Sequence, residues 1–174
     1  MKKLFALAMM LCLTMNVVRA EQVVVETRNS SLVLEVEKGK QPKYVYYGAK
    51  LSDSDLQNLQ RPRGGRMDAY PVYGMNCPAE AALAMTHADG NLSSDMVAIG
   101  AVKKDGQTTR ISLKDRVYPV TVDLCFKVYQ NEDMIETWAE ITNGEAKPVT
   151  LTQFASCSLP IRRGNVWLSS FYGS

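Results

Sequence analysis

The sequence predicts an all-β domain, and three observations carry the prediction. Apolar and polar residues alternate at period two through residues 120–129 and again through 134–141. Shorter β-branched or aromatic runs recur before them, separated by turns of Gly, Asn and Asp. No segment sustains an apolar repeat of helical period with caps at its ends. Period two puts alternate side chains on opposite faces of a strand, so one face meets a core and the other water. Short strands at near-regular spacing with such turns describe a sandwich or large twisted sheets.

Residues 1–20 stand outside that pattern. Lys2 and Lys3 form a positive start, residues 4–18 are almost unbroken apolar, and Val18 and Ala20 are small enough to precede cleavage before Glu21. A membrane anchor needs roughly 20 apolar residues, whereas this run is shorter and interrupted by Thr14 and Asn16. Cys12 follows Leu11 inside the run, which does not fit a lipoprotein signal. A cleaved signal peptide over 1–20 and one domain over 21–174 are therefore expected, with export to the periplasm or the medium and no membrane attachment afterwards. The whole chain carries a formal charge of +2, but Lys2, Lys3 and Arg19 all lie in the leader, so the remainder carries −1. No electrostatic argument for nucleic acid survives that correction.

Along the domain, residues 23–26 and 32–36 read as strands joined across Arg28-Asn29-Ser30, with a turn around Gly39. Residues 43–47 form an aromatic strand closed by Gly48, and residues 53–59 are the best helical candidate. Residues 79–85 fit a short helix or a strand, because Ala81, Leu83 and Met85 also alternate. His87 to Asn91 and Lys104-Asp105-Gly106 read as turns around a strand near 96–102. The clearest strand, within 116–129, puts Val120, Val122, Leu124, Phe126 and Val128 on one face. After the Asn131-Glu132-Asp133 turn, Ile135, Thr137, Ala139 and Ile141 face one way and Met134, Glu136, Trp138 and Glu140 the other. Asn143-Gly144 is a strong turn signal, and a third strand is expected through Val149, Leu151 and Gln153, completing an antiparallel meander.

Few residues carry recognisable chemistry. Cys77, Cys125 and Cys157 follow the leader; their odd count permits one disulfide or none, and buried thiols are expected. His87 is the only histidine, and no metal or phosphate-loop spacing occurs, so neither cofactor nor metal is expected. Two carboxyl groups that work as an acid–base or nucleophilic pair must lie within a few ångströms of one substrate atom. Glu136 and Glu140 share a strand face but lie roughly 13 Å apart at about 3.3 Å per residue. Residues 51–68 are polar and without alternation, so they form either a functional excursion or a plain surface loop.

Around that loop a resemblance emerges from YVYYGAKL at 44–51, YPVYG at 70–74 and ADGN at 88–91. It continues through ISLKD at 111–115 with Tyr118-Pro119, ETWAEITN at 136–143 and PVTL at 148–151. In that order and spacing they resemble the N-terminal β-supersandwich domain of glycoside hydrolase family 36, the α-galactosidases. The resemblance implies an antiparallel β-supersandwich followed, beyond Ser174, by a (β/α)8 barrel that carries the catalytic aspartates. It implies a homo-oligomeric parent enzyme acting on terminal α-galactosides, and a front portion inactive by itself. It also implies a loop aspartate that touches substrate: Asp68 is the first candidate, with Arg66 to orient it, and Asp53 the second. Against this, Asp68 also suits a turn cap before Tyr70. Tyr70, Tyr73 and Trp138 are either sugar-stacking platforms or core residues. The alternative to the enzyme domain is a stand-alone exported carbohydrate-binding β-sandwich, with an exported structural protein as a third reading. An apolar face left open where a barrel would pack is a further expectation.

Overall fold

The computed structural model describes residues 20–60, 67–74, 80–100 and 102–160. The leader before Ala20, Arg66 and Cys77 lie outside the described residues. Among the described residues, ten strands and one short helix follow in chain order: β1 (Glu21–Glu26), β2 (Ser30–Val36), β3 (Lys43–Ala49), α1 (Asp53–Asn58), β4 (Leu83–Thr86), β5 (Met96–Ala98), β6 (Lys103–Asp105), β7 (Thr108–Asp115), β8 (Val120–Tyr129), β9 (Met134–Asn143) and β10 (Thr150–Phe154). They form three antiparallel sheets, β1-β2-β3, β4-β10, and β5-β7-β8-β9 with β6 sharing an edge of β7. The all-β antiparallel sandwich expected from the sequence is the fold observed.

Alternation explains the core. Val120, Val122, Leu124, Phe126 and Val128 of β8 are all buried. They join Val23 and Val25 of β1, Leu32, Leu34 and Val36 of β2, Leu83 and Met85 of β4, and Tyr70 in one apolar cluster. Burying a side chain of this kind contributes about 1.5–3 kcal/mol. Tyr70 is fully buried and donates its hydroxyl to the Ala155 carbonyl at 3.2 Å, so it is a core residue and not a sugar platform. In the aromatic strand β3, Tyr46 reaches forward along the strand to donate to the Ala49 carbonyl at 2.8 Å, and its phenol oxygen lies beside Gly48.

Two expectations are corrected. Residues 150–154 do form a strand, but β10 pairs with β4 and not with β9. The meander is instead β7-β8-β9, because Thr108–Asp115 is a strand that the sequence reading treated only as motif. Asn143-Gly144 ends β9 without folding back: Gly144 donates to the Pro119 carbonyl at 2.8 Å, where a Cβ would come within 2.5 Å of that oxygen. The chain then crosses to the other sheet. The ambiguous stretch before His87 resolves as a strand at Leu83–Thr86, and the helical candidate as α1. Cys125 is buried as expected, but Cys157 is exposed; neither is in a disulfide.

Among the described residues, one side of the sandwich is open. The inward residues of β9, Ile135, Ala139 and Ile141, are only partly buried. On β10, Leu151 and Phe154 pair across from Met85 and Leu83, which are buried, yet are themselves 47% and 50% exposed.

Candidate functional site

The irregular excursion leaves one end of β3 and returns at the other. Lys50 N–H donates to the Asn29 carbonyl at 2.7 Å, and Leu51 N–H to Ser31 Oγ at 3.1 Å. Ser52 then caps α1: its Oγ accepts from Asp55 N–H at 3.3 Å while Asp55 Oδ2 accepts from Ser52 N–H at 3.1 Å, a reciprocal capping box. The Ser52 hydrogen bonds hold the Asp55 carboxyl below its ordinary range. Asp53 is exposed in the first turn of this helix, where a negative charge suits the helix dipole. The return is fixed by an antiparallel bridge between Lys43 and Asp68, with Tyr44 N–H on the Met67 carbonyl at 2.7 Å and Ala69 N–H on Pro42 at 2.8 Å. The ends of β3 are about 20 Å apart, so the two candidate aspartates are anchored at opposite ends. Asp68 is half-buried, and among the described residues its carboxylate has no hydrogen-bond or ionic partner. Beside Met67 a groove of about 330 Å³ runs along β3, lined by Tyr46, Tyr47 and Leu159.

The outward face of the β7-β8-β9 sheet carries the acids that the sequence singled out. Arg110 forks onto Glu140 at 2.6 and 3.2 Å and reaches Asp123 at 2.9 Å; Trp138 Nε1 donates to Glu140 at 2.9 Å. The Arg110 and Trp138 hydrogen bonds pull the Glu140 carboxyl down to about 2. Glu136 accepts from the Tyr129 hydroxyl at 2.7 Å. Each glutamate is thus tied to its own partners. Cys125 lies on the same face, its thiol pushed up to about 11 chiefly by burial. Because the folded pKa of Glu140 is depressed, its ion pair is intact above the ordinary carboxylate range and is lost only as pH falls through about 2. Carboxyl-carbon NMR should show Glu140 titrating near 2, and Arg110→Ala should return it towards the ordinary value. An unmoved midpoint in that variant would refute the pairing.

At one end of the sheet the motif residues converge, which sequence spacing did not reveal. Asp115 is buried at the end of β7; its Oδ1 accepts from the N–H groups of Val117 and Tyr118 at 2.8 and 2.9 Å, and its Oδ2 from Asp95 N–H at 2.7 Å. That turn presents Tyr118, whose ring stacks on His87 with centroids 3.6 Å apart and an interplanar angle of 11°. The Tyr118 hydroxyl donates to Asp89 Oδ2 at 2.9 Å and accepts from Asn91 Nδ2 at 2.8 Å. His87 meets Glu145 Oε1 through Nδ1 at 2.7 Å and Ser94 Oγ through Nε2 at 3.0 Å. Glu145 Oε2 also accepts from Ala88 N–H at 3.0 Å.

The Ser94–His87–Glu145 order is that of a nucleophile relay. Ser94, however, is only 4% exposed, and the groove at this end does not reach it. The trio is a buried clip joining the loop between β4 and β5 to the loop between β9 and β10. Among the described residues no cluster of acids, histidines and cysteines is arranged to hold a metal ion.

Comparison with known proteins agrees with the motifs. The model of the glycosyl hydrolase family 36 N-terminal domain matches residues 40–174. No curated protein matches the chain. Among solved structures, it is similar to the α-galactosidase from Lactobacillus brevis, at 18% identity and a TM-score of 0.65, over 79% of this chain and 23% of that one. It is also similar to a variant of the family 36 α-galactosidase AgaA from Geobacillus stearothermophilus in complex with raffinose, at 17% identity and a TM-score of 0.67, over 80% and 24%. The galactosidase domain of the α-galactosidase–sucrose kinase AgaSK aligns at 22% identity and a TM-score of 0.65, over 78% and 24%. The chain therefore spans about a quarter of the length of these structures. Identities this low speak for the fold, while the family model covers most of the sequence. On that match, the chain belongs to the glycosyl hydrolase family 36 N-terminal domain family.

Proposed function

We propose that this chain is the N-terminal β domain of an exported α-galactosidase that removes terminal α-galactose from α-galactosides. The observation that carries the reading is the family match over residues 40–174. A relative of the same fold in complex with raffinose supports the substrate class. In this reading the reacting carboxylates belong to a barrel elsewhere in the longer protein, and this domain supplies support and oligomer contacts. The open side formed by β9 and β10 is where further protein packs. Asp68 lies on the returning arm of the excursion, and its carboxylate, without a partner among the described residues, can accept two sugar hydroxyls. It is therefore the proposed substrate contact, and Asp53, placed at a helix start, is the second candidate.

The test has two parts. The 174-residue chain should not turn over p-nitrophenyl α-galactoside, whereas the longer protein containing it should. Asp68→Ala in that longer protein should raise KM about tenfold with the fold intact, the loss of about 1.4 kcal/mol expected for a charge-assisted hydrogen bond. Unchanged kinetics would remove Asp68 from the site, and hydrolysis by the isolated chain would overturn the assignment of catalysis to another domain.

A further inference from the structure

A groove of about 420 Å³ opens at the end of the sheet where the motif residues meet, bounded by Asp89, Tyr118, Pro119 and Lys147. It is separate from the β3 excursion that carries Asp68. From its geometry we infer that it is an accessory site for one pyranose ring of a neutral saccharide.

The groups at its rim have the chemistry that such a ring requires. Asp89 is exposed, and each carboxylate oxygen already holds one donor: Asn91 N–H at 2.9 Å on Oδ1 and the Tyr118 hydroxyl at 2.9 Å on Oδ2. Each oxygen has about two acceptor positions, so one remains on each. Two free acceptor positions side by side match a pair of vicinal hydroxyls. The carboxyl group is held below its ordinary range, chiefly by the Asn91 N–H and the Tyr118 hydroxyl, and so stays a pure acceptor at neutral pH. Lys147 is exposed and has no side-chain partner among the described residues, leaving three N–H donors for further hydroxyls. Tyr118 and Pro119 give the groove a ring-bearing wall of the kind on which sugar C–H faces rest.

Rigidity argues in the same direction. Tyr118 is fixed on one face by His87, at its hydroxyl by Asp89 and Asn91, and at its backbone by Asp115. His87 is held from the core side by Glu145 and Ser94. The rim is thus ordered before any ligand arrives, which lowers the entropic cost of binding. At the exposed rim Asp89 and Lys147 balance in charge, while Glu145, which also lines the groove, is held by His87 and Ala88 N–H. An anion would meet Asp89, and a cation would meet Lys147; a neutral polyol satisfies both.

The site follows from its own groups, but the choice of galactose as probe rests on the α-galactosidase reading. Methyl α-galactoside and methyl α-glucoside should be titrated separately into the ¹⁵N-labelled 174-residue chain. The expected result is movement of the amides of Ala88, Asp89, Gly90, Tyr118, Ala146 and Lys147 by the galactoside, with a Kd of about 1–10 mM, the weak range proper to a few hydrogen bonds. Lys147→Ala, which removes an exposed side chain, should weaken binding about fivefold, and Asp89→Asn should weaken it more. Asp68→Ala should leave it unchanged. If the glucoside alone binds, the groove is confirmed and the α-galactosidase reading loses support. If neither glycoside moves these amides, or if Lys147→Ala and Asp89→Asn bind as the parent does, the accessory site is refuted, whatever the longer protein hydrolyses.

Discussion

Glu145→Ala is expected to destabilise the domain by about 3–5 kcal/mol, because two hydrogen-bond donors lose a largely buried acceptor. The Glu145 and His87 side chains are 6% and 0% exposed. Without the carboxylate, His87 Nδ1 and Ala88 N–H both lose their acceptor, and the His87 side chain is fully buried. Orphaned buried donors cost about 1–3 kcal/mol each. Because the clip joins the loop after β4 to the loop after β9, its loss should also free the crossover to β10. Thermal unfolding should show a midpoint lower by about 6–15 °C for a domain of this size. Glu145→Gln keeps an acceptor without the charge and should cost less. A Glu145→Ala midpoint within about 2 °C of the parent would show that the clip adds nothing.

Asp115→Ala should be of similar size, about 3 kcal/mol, from three backbone donors left without an acceptor. Val117, Tyr118 and Asp95 all donate to this one buried side chain. Asp115→Asn is the informative control, since an amide offers one acceptor oxygen where the carboxylate offers two, and should recover part of the loss. Denaturant unfolding measures both. The turn at 116–119 should loosen in the alanine variant, which the Tyr118 ring resonances would report through loss of stacking on His87. Equal stability of Asp115→Ala and the parent would mean that the three donors find water instead.

Legibility followed the strength of the local pattern. β8 was readable because five inward residues are all strongly apolar and all buried. β7 was not, since its inward face alternates Thr109, Ile111, Leu113 and Asp115, and two of those four are polar yet buried. Only the contacts made by Asp115 explain its place inside. Asn143-Gly144 carries a hairpin signal, yet the chain ends β9 there without reversing onto it. The glycine is needed for close approach to Pro119, and the direction taken afterwards depends on where Glu145 finds His87. Asp53 and Asp68 were chosen through the family resemblance. The structure adds that one begins a capped helix and the other sits in a bridge to β3, while Arg66, proposed to orient Asp68, lies outside the described residues.

By itself, the sequence determined that the chain is β-rich, which residues of β8 face the core, and which family it resembles. These properties are local or cumulative: side-chain alternation follows from strand geometry whatever the partner. Tertiary structure alone decided which strand lies beside which, and that motifs from three distant segments close around His87 and Tyr118. Pairing and burial depend on contacts between residues far apart in the chain, whose energies arise only when those residues meet.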